Sequence, residues 1–296
     1  MKARTHRYGY LFMAPFLLTF LLFQAYPILY TLYLSFTKYK SDTFAGFANY
    51  QHLFGDKTFW LSMSNTWAIW LGCIVPQIIF ALLLAVILSQ YKLRGAGFFR
   101  TVFYLPNLVT AASVGILFSV LMDWQTGAVN KLLLQAGFIR EPINWMGIPA
   151  LAQGLVSLIQ WWMWFGYSTI IITAGVKTIS GDVIEAAIVD GANSMQRFFH
   201  ITLPLIQPTM VYVIVTSLIG GMQIFDIPMA LTGGDGKPQK ALMTMTLYLY
   251  NTAFKNRNYA YGATVSYGIF AVILVFTLVF FRVLAPAGGR RDGERV

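Results

Sequence analysis

Residues 185–204 read EAAIVDGANSMQRFFHITLP, a motif that interrupts an otherwise apolar chain. It contains Glu-Ala-Ala, then three residues, Gly191, nine residues, and Ile-x-Leu-Pro. The stretch lies in a polar break between Lys177 and Pro208, and the segments on both sides are strongly apolar. A polar connection between two segments apolar enough for lipid is expected to lie in water, where it can contact another protein.

The composition of the chain favours a membrane protein. Of its 296 residues 57% are apolar and 11% are charged, whereas about 25% of a soluble domain is charged. The net charge of +10 comes from short basic clusters between apolar segments. Such clusters indicate membrane topology, whereas a nucleic-acid-binding protein has a basic stripe on a soluble fold. We therefore expect contact with membrane lipid and no contact with nucleic acid.

Six segments contain no Asp, Glu, Lys or Arg, and each is long enough for a helix to cross the bilayer, which takes about 20 residues. The sequence therefore predicts an all-α membrane protein with six transmembrane helices. The charge-free segments are 9–37, 58–91, 101–122, 142–176, 198–225 and 258–281. The predicted helices are 10–34, 67–89, 101–121, 151–175, 208–231 and 262–284.

The positions of Lys and Arg predict which ends of these helices face the cytoplasm. Basic residues cluster at the N-terminus, between the second and third helices, and at the C-terminus, and an even number of helices brings the three clusters to one side. The clusters are Lys2, Arg4 and Arg7, then Lys92, Arg94 and Arg100, then Arg282, Arg290, Arg291 and Arg295. A longer loop opposes this bias with Lys237, Lys240, Lys255 and Arg257, but long loops count less.

This topology divides the chain into three parts. Residues 1–9 are a cytoplasmic N-terminus, residues 10–284 are the transmembrane domain, and residues 285–296 are a cytoplasmic tail. The first apolar segment lacks a small-residue cleavage site, so it is interpreted as a retained helix and not as a signal peptide. The polar break at 177–207, called the polar knob below, then also lies in the cytoplasm.

The polar knob is expected to contain two short helices. Ser180 is a suitable N-cap for the first helix, and Gly191 is suited to end it in the left-handed conformation. Asn193 or Ser194 can cap the second helix, which Pro204 is expected to end. A short exposed helix with small residues fits a groove on a partner protein.

The pattern at 185–204 resembles the signature loop of ABC-importer permeases. The match is complete at Glu185, Ala186, Ala187, Gly191, Ile201, Leu203 and Pro204. Similarity extends to GFANY at 46–50, FRTVFYLP at 99–106, DGA at 190–192 and FD at 225–226, which look like the carbohydrate-uptake branch for maltose, lactose-type oligosaccharides or glycerol phosphate. One departure is Ile179-Ser180-Gly181, where members of the family often have Ile-Pro.

The resemblance implies a subunit of an ATP-driven importer in a bacterial cell membrane. The polar knob would be the coupling helix, seated in a cytoplasmic ATPase dimer that binds ATP and Mg²⁺. The other implied partners are a second permease and an extracytoplasmic sugar-binding protein. The implied ATPase contacts are Glu185, Ala186, Ala187, Asp190, Gly191, Ala192, Ile201, Leu203 and Pro204.

The chain itself is not expected to bind ATP or to be an enzyme. It has no Gly-x-x-x-x-Gly-Lys-Ser/Thr loop, and the glycines at 233–236 have the wrong spacing for one. Neither a His-Glu-x-x-His motif nor a His-x-x-x-His pair is present, so no cofactor or metal site is expected.

Polar and aromatic residues at membrane depth are candidates for the solute pathway. The candidates are Gln160, Trp161, Trp164 and Tyr167 in the fourth helix, Gln223, Phe225 and Asp226 in the fifth, and Asn107 in the third. The fourth-helix aromatics could equally form an interfacial belt, and Asp226 could instead be a boundary or inter-helix contact. Gln77 is expected to compensate a kink at Pro76, and Trp67 and Trp70 are expected to pack or to lie in the belt.

Other functions stay open at this point. The solute of an ABC permease could be another polar molecule, such as glycerol phosphate or an osmolyte, although the six charge-free segments lack basic residues for an anion. A secondary transporter is the alternative from another class, but it should show internal repeats or a chain of intramembrane carboxylates. Neither is evident in this sequence.

Overall fold

The computed structural model describes residues 2–90 and 95–284, and most of them are helical. The expected tail at 285–296 and the basic residues Lys92, Arg94, Arg290, Arg291 and Arg295 lie outside the described residues. The helices are α1 Lys2–Phe20, α2 Tyr26–Ser35, α3 Ala48–Gly55, α4 Lys57–Gln90, α5 Ala96–Leu108, α6 Ala111–Leu121, α7 Ala128–Gln135, α8 Pro149–Val176, α9 Gly181–Val189, α10 Ser194–Arg197, α11 Leu203–Leu205, α12 Gln207–Met222, α13 Asp226–Thr232, α14 Met245–Tyr250 and α15 Tyr259–Leu284. The π-helical turns Leu21–Ala25, Phe198–Thr202 and Asn251–Lys255 join α1 to α2, join α10 to α11 and extend α14.

The predicted membrane helices are present in the described residues. Five helical segments are long and apolar enough to cross a bilayer: Tyr10–Ser35, Lys57–Ser89, Pro149–Val176, Gln207–Thr232 and Tyr259–Leu284. The number becomes six if α5 and α6, which are bent by 88° at their junction, count as one span. The second helix is longer than predicted, because it begins at Lys57, where Asp56 accepts hydrogen bonds from the backbone N–H groups of Thr58 and Phe59.

The prediction of one continuous third helix over 101–121 is wrong. Val109 and Thr110 are extended, with ψ of 141° and 137°, and they separate α5 from α6. Pro106 lies in the last turn of α5 and cannot donate a backbone hydrogen bond. Thr110 then caps α6, since its hydroxyl accepts a hydrogen bond from Ser113 N at 3.4 Å. The chain therefore turns sharply here and does not continue straight through the membrane.

The predicted fifth helix, 208–231, is also interrupted. It consists of α12 and α13, and Phe225, the residue before α13, has φ −136° and ψ −52°. Gly220 and Gly221 lie in the last turn of α12, and glycine lowers helix stability by roughly 1 kcal/mol relative to alanine. The interruption places Gln223 and Asp226 at the ends of two short helical segments.

The described residues form two compact units, and the first comprises 2–59 and 248–270. It contains a small antiparallel hairpin that the sequence analysis did not predict, with β1 Thr37–Lys38 paired to β2 Ser41–Phe44. Its main polar cluster is centred on Asp56, whose carboxylate accepts hydrogen bonds from the hydroxyls of Tyr248 and Tyr261, the latter at 2.6 Å.

The second unit comprises 60–247 and 271–284 and contains the apolar core that matters for the site. Close helix contacts in this unit depend on missing side chains. A Cβ on Gly166 of α8 would lie 1.8 Å from the carbonyl oxygen of Phe103 in α5, and one on Gly115 of α6 would lie 2.7 Å from Cβ of Ala230 in α13. The main core cluster comprises Ile69, Val114, Ala152, Leu155, Val156, Ile159, Met163, Ile224, Ile227 and Leu242.

Candidate functional site: a polar knob and an intramembrane cavity

The first helix of the polar knob forms as the sequence predicts. The hydroxyl of Ser180 accepts a hydrogen bond from Asp182 N at 3.2 Å, which caps α9. Gly191 ends α9 with φ +81°. Its N–H donates to Ile188 O at 3.0 Å, and Ala192 N donates to Ala187 O at 2.9 Å, the pair of bonds that closes a helix at a left-handed glycine.

The second helix of the knob starts at the predicted cap but does not end where expected. Asn193 caps α10 reciprocally with Gln196: each side chain bonds the other residue's backbone N–H at 2.8 Å. The helix that Pro204 was expected to end continues through a π-helical turn and α11 as far as Leu205, one residue further. Pro204 therefore lies in the last turn of this helical stretch, just before the chain leaves the helix at Ile206.

The knob exposes an apolar surface and an unpaired carboxylate. Val189 is 87% exposed and Met195 is 66% exposed, whereas Ala187 is buried. Glu185 is exposed and makes no hydrogen bond or ion pair with another described residue. His200 Nδ1 lies 3.1 Å from Gln196 O, so its ring is engaged within the knob. The apolar surface and Glu185 are thus available to a partner, and Ala187 supports the knob from inside.

A cavity of about 390 Å³ lies in the second unit, and it gathers most of the candidate pathway residues. Six of the eight candidates line it: Gln160, Trp164, Tyr167, Gln223, Phe225 and Asp226. The walls come from α4, α8, α12 and the first residues of α6 and α13. The interruptions after α5 and after α12 therefore both lie beside this cavity.

Helical spacing separates the fourth-helix candidates. Gln160, Trp164 and Tyr167 are spaced i, i+4 and i+7, so they share one face of α8. Trp161 is about 100° away around the helix. It lines a different groove between α4 and α8, where its ring lies 5.1 Å from that of Phe80. Trp161, a candidate for the solute pathway, therefore does not line the cavity.

Asn107 is also not brought to the cavity. It lies in the last turn of α5, before the bend, whereas Ala111 at the start of α6 is the cavity-lining residue from this region. Residues 101–121 were expected to form one straight helix, and the 88° bend moves Asn107 away from its expected position.

Several cavity residues were not predicted. Trp70 lines the cavity, and its Nε1 donates to Ser217 O at 3.1 Å and lies 3.2 Å from Ser217 Oγ. Gln77 does not repair a kink, because its amide donates to Ser168 Oγ on α8 at 2.7 Å. Helical spacing could have indicated these residues. Ser217 and Gly221 lie one turn apart and share a face of α12, as Trp164 and Ser168 share a face of α8.

Among the amides in the second unit whose side chains are hydrogen-bonded to other segments, we call three the bonded amides: Asn65, Gln77 and Gln153. Asn65 Nδ2 donates to Lys240 O at 2.7 Å and to Met243 O at 3.2 Å. Gln153 Nε2 donates to Asn65 Oδ1 and to Ala241 O, both at 3.0 Å. These bonds attach the loop at 240–243 to α4 and α8.

Three other polar side chains have no such partners, and we call them the open polar residues: Gln160, Gln223 and Asp226. None of them makes a side-chain hydrogen bond or an ion pair with any residue in the described part of the chain. All three line the cavity. Their donors and acceptors are therefore available to water or to a solute.

Comparison with known proteins identifies the family. The model of the binding-protein-dependent transport system inner membrane component matches residues 10–287. The lactose transport system permease protein LacF of Rhizobium radiobacter is 36% identical, with 92% of each chain covered. The arabinooligosaccharides transport system permease protein AraP of Bacillus subtilis is 32% identical, with 93% of this chain and 87% of the relative covered.

A solved structure has the same fold. It is a bacterial alginate ABC transporter in complex with an alginate pentasaccharide-bound periplasmic protein. One of its chains aligns with a TM-score of 0.82 at 22% identity, and 95% of each chain is covered. The predicted all-α permease fold and the prediction that the chain is not itself an enzyme are confirmed by these findings. The chain belongs to the family of inner membrane components of binding-protein-dependent transport systems, the multi-pass permease subunits of ABC importers.

Proposed function

We propose that this chain forms one half of the pathway by which an ABC importer carries a sugar or oligosaccharide across the membrane. The observation that carries the proposal is the cavity, where Trp164 and Trp70 accompany the open polar residues. Sugar rings have apolar C–H faces and hydroxyl edges, so they bind where aromatic rings and free amides or carboxylates face one space. The lactose and arabinooligosaccharide names of two relatives point to the same solute class.

The polar knob is the proposed contact with a separate ATPase. A short helix with an exposed apolar side binds a partner by lying in its groove, and Val189 and Met195 provide such a surface. The caps at Ser180, Asn193 and Gly191 hold the knob in one shape, so that it can transmit a push. The proposed coupling residues are Glu185, Ala186, Ala187, Asp190, Gly191, Ala192, Ile201, Leu203 and Pro204.

The proposed assembly has a second permease, two ATPase subunits that bind ATP and Mg²⁺, and an extracytoplasmic sugar-binding protein. The periplasmic protein named in the alginate structure supports this partner set. Residues 10–284 are the proposed transmembrane domain, with the knob, residues 1–9 and residues 285–296 in the cytoplasm. This topology requires an even number of crossings, so α5 and α6 together must count as one span.

The test is transport by the reconstituted complex. The chain, its partner permease, the ATPase and the binding protein are placed in proteoliposomes, and uptake of radiolabelled lactose, maltose and arabinotriose is followed. We expect uptake of at least one of these sugars that needs both ATP and the binding protein. Uptake driven by an ion gradient without ATP would instead indicate a secondary transporter.

A second measurement tests the topology. Single cysteines are placed at Thr43, in the hairpin before α3, and at Gln196, in the knob, in a chain with Cys73 replaced by serine. We expect a membrane-impermeant maleimide to label the first from outside intact cells and the second only after the membrane is opened. Labelling of both from one side would contradict the proposed crossings.

A further inference from the structure

We propose that Asp226 makes this half of the pathway selective for neutral, hydroxyl-rich solutes and against anionic ones. The inference rests on the proposed function and adds the charge class of the solute. Asp226 is the first residue of α13 and lies where the helix after α12 is interrupted. It lines the cavity together with Gln160 and Gln223.

The charge of the cavity wall is the first observation. Among the described residues that line it, Asp226 is the only carboxylate, and no Lys, Arg or His accompanies it. The ionisable groups that share the wall are the phenol of Tyr167 and the thiol of Cys73. A solute that enters this space therefore meets one acidic group and no cation.

The lack of a partner for Asp226 is the second observation. Its carboxylate makes no hydrogen bond or ion pair with any other described residue. Asp56 and Asp123, by contrast, each accept hydrogen bonds from a side-chain hydroxyl and from backbone N–H groups. A carboxylate in a membrane protein needs a polar partner, and at Asp226 the open space of the cavity is where such a partner can bind.

The chemistry of these groups favours a neutral solute. A carboxylate accepts two hydrogen bonds, which suits a pair of neighbouring sugar hydroxyls. Gln160 and Gln223 can both donate and accept, and Trp164 offers an aromatic face. A second carboxylate or a phosphate in the same space would be repelled by Asp226, and its charge would find no basic partner.

The fold does not set this preference. The alginate transporter structure shares the fold of this chain, and alginate is an acidic polysaccharide. Related folds carry different activities because the residues of the site differ. The open polar residues are the part of this chain that distinguishes a neutral solute from an acidic one.

Asp226 also has a simpler role to be distinguished, because a carboxylate in the first turn of a helix stabilises its N-terminus. Asparagine is also a favoured residue at helix N-termini, and Asp226→Asn removes only the charge. If Asp226 acted only on the helix, this variant would leave the relative affinities for neutral and anionic solutes unchanged.

The experiment measures equilibrium binding to the purified membrane complex without the binding protein, so that selectivity of the binding protein does not contribute. The probes are lactose, maltose and arabinotriose as neutral sugars and lactobionate and digalacturonate as anionic ones. The variants are Asp226→Asn and Asp226→Glu. The control is Asp235→Asn, which makes the same change at a residue whose carboxylate forms an ion pair with Lys237 at 3.2 Å outside the cavity.

We expect the wild-type complex to bind a neutral sugar at least tenfold more tightly than either anionic probe. Asp226→Asn should reduce this ratio at least fivefold, whereas Asp226→Glu and Asp235→Asn should keep it. A wild-type preference for the anionic probes, or an unchanged ratio in Asp226→Asn, overturns the inference while leaving sugar transport intact. If the wild-type complex neither binds nor transports any of the five probes, the proposed function fails and the inference fails with it.

Discussion

The bonded amides and the open polar residues belong to the same unit, and α8 carries both Gln153 and Gln160, but the two sets differ in what surrounds them. Asn65, Gln77 and Gln153 direct their donors at carbonyls or hydroxyls of other segments. Gln160, Gln223 and Asp226 have no such partners among the described residues and line a cavity. A buried polar group without a partner costs about 1–3 kcal/mol, so the first set holds the fold and the second set is maintained only where a solute or water can enter.

The strongest test of this difference is to replace Asn65, which we expect to cause the largest loss. Asn65→Leu keeps a side chain of similar size but removes three hydrogen bonds, those to Lys240 O and Met243 O and the one from Gln153 Nε2. We expect the free energy of unfolding to fall by about 3 kcal/mol, measured by chemical unfolding of the purified complex.

The matched control is Gln160→Leu, the same kind of change in the open set. It removes no hydrogen bond to another described residue, so its free energy of unfolding should stay within about 1 kcal/mol of that of the wild type. Equal destabilisation by the two variants would show that the comparison between the sets is wrong.

The next largest effect should be on ATPase binding, and it should come from the knob. Glu185, like Asp226 in the cavity, is a carboxylate without a partner among the described residues. Glu185→Lys reverses an exposed charge that no described residue compensates. We expect at least tenfold weaker binding of the ATPase, measured by co-purification, with membrane insertion and sugar binding unchanged. Asp182→Lys is no substitute, because Asp182 takes part in the cap of α9.

Two substitutions of Gly191 distinguish an effect on ATPase docking from an effect on the fold of the knob. A Cβ there meets no atom within 4 Å, so a larger residue adds only the strain of the left-handed conformation, about 1–2 kcal/mol. Asparagine tolerates that conformation and should retain the fold. Full ATPase binding by Gly191→Asn, with loss of binding by Gly191→Val, would assign the role of this glycine to shape alone.

A smaller effect is expected for single open amides. Gln160→Ala and Gln223→Ala should each weaken sugar binding by roughly three- to tenfold, the equivalent of one neutral hydrogen bond. Trp161→Phe is the control in the same helix, since Trp161 lines another groove. If Trp161→Phe weakens binding as much as Gln160→Ala does, the solute does not occupy the cavity described here.

The smallest effect should be a difference in stability that disappears at the extremes of pH, and it concerns a bonded carboxylate in the first unit. Burial raises the pKa of Asp56, but hydrogen bonds from Tyr248, Tyr261 and two backbone N–H groups outweigh it and lower that pKa below its ordinary value of 3.8. Burial and the hydrogen bond to Asp56 raise the pKa of Tyr248 from 10.0 to about 12.

The two shifts define the window of this cluster. A lowered carboxylate pKa contributes stability that is present above pH 3.8 and is lost as the pH falls through the folded value. A raised phenol pKa contributes stability that is present below pH 10.0 and is lost as the pH rises toward 12. The melting temperature of Tyr248→Phe should therefore be lower than that of the wild type at pH 7. The two melting temperatures should approach each other at both extremes of pH.

The sequence predicts the knob better than it predicts the cavity. Ser180, Gly191 and Asn193 act through bonds to residues two to five positions away, so local pattern is sufficient. The transmembrane helices follow from charge-free length. The interruptions at Val109 and Phe225 do not, because membrane helices also tolerate proline and glycine without a break, so Pro106 and Gly220 alone do not predict one.

The sequence predicts part of the cavity lining, because polar residues are rare in apolar segments. Gln160, Gln223 and Asp226 stand out in this way, but the sequence alone cannot say which amide is already bonded. Gln77 and Gln160 look alike in the sequence, and only the position of Ser168 on α8 distinguishes them. Trp161 and Trp164 lie on different sides of α8. Which side faces the cavity becomes clear only when the other lining residues are known.

Gly220 and Gly221 both line the cavity, but they differ in the space available for a larger side chain. A Cβ on Gly221 would lie 2.1 Å from Trp70, so this position is fixed by the ring beside it. Gly220 also lines the cavity, but open space surrounds the position of a Cβ there. A larger residue at position 220 can therefore narrow the cavity stepwise, by the size of its side chain, without repacking α12.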